Sequence, residues 1–271
     1  MSTANKQQRI TVAKQDEIAV LTMNGTGENL WTEESLTEFS DQIMALSRNN
    51  DTRCLIITGP GSDPDPVPGQ EKNWFCGGAD LAALADDDPI TRASMPRLFA
   101  QAFGNLRRFP GVTIAAINGN AHNEGLSLAL NCDFRLCVNA ASFQFSVGHL
   151  GLVPFGGSSQ LLPRLVGEPW AKRMMLMENT IDAHQALAIG LVEDVVEPCR
   201  LHAVVQSWAE KLCQQRPMAS RAVKQLIEHA RMRPLETGFA AEREWQASIM
   251  DHGDYRVPGK GVGKDGTPDR G

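Results

Sequence analysis

Short β-branched runs alternate along the chain with stretches whose apolar residues recur every three or four positions. Ile18–Met23 (IAVLTM), Cys54–Thr58 (CLIIT), Val112–Ile117 (VTIAAI) and Phe134–Val138 (FRLCV) have the length and side-chain content of strands. Between them, residues 33–46 carry Leu36, Phe39, Ile43 and Leu46 on one helical face, and a second helical run holds Met95, Leu98, Phe99, Phe103 and Leu106. Helices are also predicted over residues 79–85 and 125–130, with a short apolar segment around Phe143 and Phe145. Strands alternating with helices predict an α/β fold with largely parallel pairing. From Gly167 the helical period takes over, predicting helices over residues 170–177, 183–189, 201–212, 218–231 and 234–250. Two segments have neither period. Residues 59–73 (GPGSDPDPVPGQEKN) read as a surface loop. The tail from Val257 (VPGKGVGKDGTPDRG) has too little apolar surface to offset the entropy of ordering it, and is expected to be disordered.

Composition narrows the chemistry. With 271 residues, 42% of them hydrophobic and 21% charged, the chain is long enough to bury a core without disulfide or metal staples. The net charge of -6 works against nonspecific binding to nucleic acid or an anionic membrane. Six cysteines lie scattered with no Cys-x-x-Cys pair and no clustered histidines, so buried reduced thiols are expected and no metal site. No apolar run approaches the roughly 18 residues that a membrane helix needs, and MSTANKQQRI lacks a signal pattern; a cytoplasmic protein is expected. No Gly-x-Gly-x-x-Gly follows the Ile18–Met23 strand, which excludes a dinucleotide-binding dehydrogenase.

Three segments carry candidate chemistry. In the first, Phe75-Cys76-Gly77-Gly78-Ala79-Asp80-Leu81, two glycines leave an apolar run and open into a helical pattern, so the N–H of Ala79 is expected to be an unpaired donor suited to an anion. In the second, a strand, a polar turn (Asn118 to Asn123) and an apolar helix place further donors near Glu124 and Gly125. Two such starts converging on one oxygen would stabilise a thioester enolate, each donor contributing roughly 2.7 to 4 kcal/mol. The third, residues 149–167, is a Gly- and Pro-rich loop followed by a helix.

In order and spacing these segments resemble the crotonase (enoyl-CoA hydratase/isomerase) superfamily. FCGGADL is similar to its first oxyanion-hole motif, AAINGNAHNEGLSLALNCDFRL to its second, SFQFSVGHLGLVPFGGSSQLLPRLVG to its active-site wall, and IDAHQALAIGLV to the helix-then-strand stretch beyond. The resemblance implies a spiral of ββα repeats with a helical C-terminal trimerisation region. The expected organisation is a spiral core over residues 1–195, a helical region over 196–256 and the tail over 257–271. It further implies a homotrimer or a dimer of trimers, and an acyl-CoA substrate whose coenzyme A is part of the substrate, with no separate cofactor. The backbone donors carry over to Ala79 and Glu124. The nucleotide and pantetheine carry over to Asn29 and Leu30 and to the loop of Phe75, Cys76, Gly77, Gly78, Asp80 and Leu81.

The departures from the family are as informative. The two glutamates that handle water in the hydratases correspond here to Ser127 and Val147, and the isomerase carboxylate to Phe155. None of these side chains transfers a proton usefully. Instead, Glu124 stands where the family has glycine, flanked by His122 and Asn123. Its carboxyl is a candidate acid or base, or a solvated first-turn acid. His122 is a second catalytic candidate, while His149, Ser158, Ser159, Glu242 and Glu244 are better explained as structural or solvated. The expected activity is enolate chemistry on an acyl-CoA other than standard hydration, including decarboxylation or carbon–carbon hydrolysis. A non-catalytic acyl-CoA-binding or assembly subunit is the alternative.

Overall fold

The computed structural model describes residues 9–48, 51–60, 73–82 and 89–255. The chain forms two compact units, residues 1–210 and 211–271. In the first, a six-stranded sheet begins with the antiparallel hairpin of β1 (Ile10–Gln15) and β2 (Ile18–Met23) and continues in parallel through β3 (Cys54–Thr58), β5 (Val112–Ile117), β7 (Phe134–Val138) and β10 (Asp194–Val196). A smaller sheet orders β4 (Trp74–Cys76), β6 (Asn120–His122), β8 (Ser142–Gln144) and β9 (Ile181–Asp182).

The two sheets make the repeat visible. β3 and β4 precede α2 (Pro89–Arg107), β5 and β6 precede α3 (Glu124–Leu130), and β7 and β8 precede α4 (Ser158–Val166). Each repeat therefore gives one strand to each sheet and then a helix. α1 (Glu33–Arg48), α5 (Glu168–Leu176), α6 (Ala183–Ala188) and α7 (Leu201–Cys213) complete the helices that begin in this unit. In the second unit, α8 (Pro217–Ala230) and α9 (Leu235–Asp251) pack together, and Arg216 pairs with Asp254 at 3.4 Å.

The core is apolar on both faces of the parallel strands, as expected where helices cover a sheet. Leu21, Leu55, Ile57, Ile114, Ile117 and Leu136 are fully buried. Beside them runs an aromatic chain: Phe39 meets Trp31 edge-on at 5.3 Å, Trp31 meets Phe103 at 6.0 Å, and Phe103 meets Phe99 at 5.4 Å. Phe99 in turn stacks on Phe155, with centroids 5.5 Å apart. This couples α1 and α2 in the core to the loop that precedes α4.

Four strands expected from the sequence have the expected bounds, whereas β1, with its second half exposed, is one that its ITVAKQ sequence did not signal. The helix expected to begin at Ala79 does not start there. Ala79 bridges Trp31, with Trp31 donating to the Gly78 carbonyl and Asp80 donating to the Trp31 carbonyl, each at 2.8 Å. Leu81 and Ala82 lie in a 3-10 turn, and residues 83–85 lie outside the described residues, as do most of the expected 59–73 loop and the tail from Val257. Among the described residues no helix is long and apolar enough to cross a membrane, and no group of three or more His, Cys, Asp or Glu is placed to hold a metal ion.

Candidate active site

The site is built where the end of β4 meets the start of α3. β4 and β6 pair in parallel, aligning Cys76 with Ala121. The approach is close enough that a Cβ on Gly125 would lie 2.0 Å from the Cys76 carbonyl oxygen, so only glycine lets α3 begin there. Asn123, just before the helix, sits at φ 47°, a conformation in which asparagine is among the few tolerated side-chain types. Its side chain secures the turn: Oδ1 accepts the N–H of Ser146 at 2.7 Å, and Nδ2 donates to the Gly77 carbonyl at 3.3 Å.

The loop after β4 is held from the opposite side. Asn29, at φ 54° and buried, donates to the Phe75 carbonyl at 2.6 Å and accepts the N–H of Gly25 at 2.8 Å. Gly77 donates to the Glu28 carbonyl at 2.8 Å. With Gly78 and Asp80 both engaged by Trp31, the N–H of Ala79 is turned toward α3.

There it finds a partner. The Oε2 of Glu124 accepts the Ala79 N–H at 2.9 Å, and Oε1 accepts the N–H of Phe155 at 3.1 Å. Two backbone donors from separate segments thus converge on one carboxylate. The donor expected to be unpaired at Ala79 is filled from within the chain, and Glu124, rather than facing water, is only 2% exposed. Burial pushes the Glu124 carboxyl above the usual glutamate range, against the Phe155 and Ala79 N–H bonds that favour its anion. Burial likewise pushes the neighbouring Cys76 thiol up, with the Glu124 charge adding to the shift, so Cys76 is held as an inert thiol.

The other sequence candidates surround this point in different roles. Ser127 is fully buried in α3 and donates to the Asn123 carbonyl at 3.1 Å. Val147 is buried, and its carbonyl accepts from Leu150 and Leu152. The Asp80 carboxylate accepts the N–H of Ala82 at 3.0 Å, and Leu81 is half-buried in the same turn. Leu30 and Asn29 line a cavity of about 440 Å³ together with Met23, Asn24, Thr26 and Trp31. The Nε1 of Trp31 is buried without a hydrogen-bond partner.

His122 belongs to a network of its own. Ser142 donates its backbone N–H to Asn120 Oδ1 at 3.1 Å, which assigns that atom as the acceptor, and the Ser142 hydroxyl gives its proton to the same oxygen at 2.7 Å. His122 Nε2, 2.9 Å from the Ser142 hydroxyl oxygen, must therefore be the donor. Its ring also meets Trp74 edge-on at 5.0 Å. His149 is 3.0 Å from the Glu178 carboxylate, whose pKa its backbone N–H lowers. Ser158 is buried and donates to the Phe155 carbonyl at 3.3 Å, whereas Ser159, Glu242 and Glu244 are exposed.

Sequence reasoning missed the Phe155 N–H and the bracing role of Asn123. The Pro154 and Gly156-Gly157 that flank Phe155 signalled a turn, but not that its amide faces α3.

Comparison with known proteins agrees with this architecture. The family model for enoyl-CoA hydratase/isomerase matches residues 13–264. The short-chain-enoyl-CoA hydratase of Clostridium acetobutylicum is 32% identical, with 87% of each chain covered. The 1,2-epoxyphenylacetyl-CoA isomerase of Escherichia coli is 29% identical, over 88% of this chain and 89% of that one. Among solved structures, DspI of Pseudomonas aeruginosa superposes with a TM-score of 0.84 at 39% identity, covering 93% of this chain and 99% of that chain.

Proposed function

The chain belongs to the enoyl-CoA hydratase/isomerase family, and from that premise we propose that it acts on an acyl-CoA thioester through an enolate held at the Ala79 N–H. The observation that carries this reading is the convergence of the Ala79 and Phe155 amides on a single carboxylate. A carboxylate and an enolate oxygen ask the same of a site: preorganised donors about 2.7 to 3.1 Å away in surroundings that exclude water. The cavity beside Asn29 and Leu30 supports a place for the pantetheine or nucleotide, and Arg9 stands on its rim. The exposed Val223, Ile227, Leu235 and Phe239 of α8 and α9 support assembly into trimers or dimers of trimers.

The reaction proposed is other than standard hydration. Ser127 and Val147 supply neither the base nor the acid that would handle water, and Phe155 offers a backbone donor in place of a carboxylate. Glu124 is the ionisable group at the donors, and its raised pKa suits it to proton exchange nearer neutrality than an ordinary glutamate. Decarboxylation, which leans most on the oxyanion donors, loses least from the missing acids. A second reading, a non-catalytic acyl-CoA-binding or assembly subunit, draws support from the occupied Ala79 donor.

Calorimetry and an absorbance assay test this together. Butyryl-CoA is expected to bind at concentrations where butyrate does not, because the nucleotide adds remote binding energy. Crotonyl-CoA is expected to hydrate at least about a hundredfold more slowly than with a relative carrying both glutamates. Absence of butyryl-CoA binding at millimolar concentration would refute the substrate class. Rapid loss of the enoyl-thioester absorbance that survives Glu124→Ala would refute the assignment of the missing acids.

A further inference from the structure

We propose that the Glu124 side chain is a built-in competitor for the acyl-CoA carbonyl, so that the site is closed at rest and each substrate must displace a carboxylate from the Ala79 and Phe155 amides. This rests on the acyl-CoA reading and adds to it a residue that sets affinity and selectivity.

The geometry carries the inference. The Ala79 N–H has Glu124 Oε2 at 2.9 Å, and its flanking groups are already committed to Trp31. A thioester oxygen bonding the same N–H would have to sit within about 3 Å of the nitrogen, against an oxygen that bears part of a negative charge. There is no slack for sharing. A Cβ on Gly78 would lie 3.1 Å from Oε2 and 2.9 Å from the Cβ of Asn123, and Glu124 is 2% exposed.

The exchange is also unequal in charge. A bond from an N–H to an anionic oxygen is roughly twice as strong as one to a neutral carbonyl. A ground-state thioester therefore competes poorly, whereas an enolate, which carries the charge itself, competes on equal terms. Displacement has a mechanical consequence as well. Leaving Oε1 frees the Phe155 N–H, and with it a loop whose backbone turns at Gly151, Gly156 and Gly157, all at positive φ. Phe155 is then held by its stacking on Phe99. Glu124 thus ties the loop after β4, α3 and the wall loop into one closed arrangement that substrate entry must undo.

The test compares butyryl-CoA with S-butyl-CoA, a thioether of the same length that lacks the carbonyl, by calorimetry on wild type, Glu124→Ala and Glu124→Asp. The wild type is expected to bind the two within about threefold of each other, because the carbonyl gains little by evicting a carboxylate. In Glu124→Ala, butyryl-CoA should bind about tenfold tighter or more, with S-butyl-CoA unchanged. Glu124→Asp, whose shorter side chain falls short of one or both amides, should move in the same direction. A wild type that prefers the thioester at least tenfold would overturn the proposal without any variant, as would an equal affinity of wild type and Glu124→Ala for butyryl-CoA. Failure of the wild type to bind either compound would instead overturn the acyl-CoA reading on which the proposal stands.

Discussion

Ala79→Pro should fold normally and turn over its acyl-CoA at least about a hundredfold more slowly than the parent, the loss seen when one oxyanion donor is removed. Proline deletes the N–H and sets its ring carbon where Glu124 Oε2 now accepts, so the carboxylate must swing off this amide. The two bridge bonds to Trp31 use the Gly78 carbonyl and the Asp80 N–H, so the loop keeps its anchor. Circular dichroism checks the fold, and steady-state turnover of whichever acyl-CoA proves to be the substrate checks the chemistry. A folded variant with parental turnover would mean that the Ala79 amide serves only to hold Glu124.

The largest expected loss of stability lies away from the site. The Arg135 side chain is buried, donating to the carbonyls of Leu191 at 2.8 Å and Cys132 at 2.9 Å and pairing with the Glu193 carboxylate. It fastens β7 to the segment that leads into β10. Arg135→Ala takes a donor from the carbonyls of Leu191, Cys132 and Asp133 and leaves a partly buried carboxylate without its counter-ion, and should lower unfolding free energy by about 3 kcal/mol. That fall should appear as a reduced urea midpoint with an unchanged slope. A midpoint within experimental error of the parent would show that water replaces the guanidinium without cost.

What the sequence made legible follows the length of each element. Cys54–Thr58 and Val112–Ile117 are buried on both faces, which makes their apolar runs nearly continuous, and their bounds could be read directly. The two- and three-residue strands of the small sheet, β4, β6, β8 and β9, are too short to show any period. β1 lies at a sheet edge with its second half exposed, which dilutes its pattern.

At the site, the Gly77-Gly78 turn and the start of α3 were legible from their glycines. The meeting of Ala79 with Glu124 was not, because it joins residues 45 positions apart. It depends on the close approach at Gly125 and on the positive-φ turn at Asn123, neither of which has a local signature that names its partner. The expectation of a free donor at Ala79 failed for that reason: a helix start was inferred where a bridge to Trp31 formed, and the donor was completed from a distant segment.

The central claim is that the Ala79 amide is the seat of a thioester oxygen. A crystal structure with butyryl-CoA bound tests it most directly. The account predicts the thioester oxygen within about 3 Å of the Ala79 nitrogen, with the Glu124 carboxylate moved off both the Ala79 and Phe155 amides. A bound thioester whose oxygen lies elsewhere, with Glu124 still accepting from both amides, would contradict it.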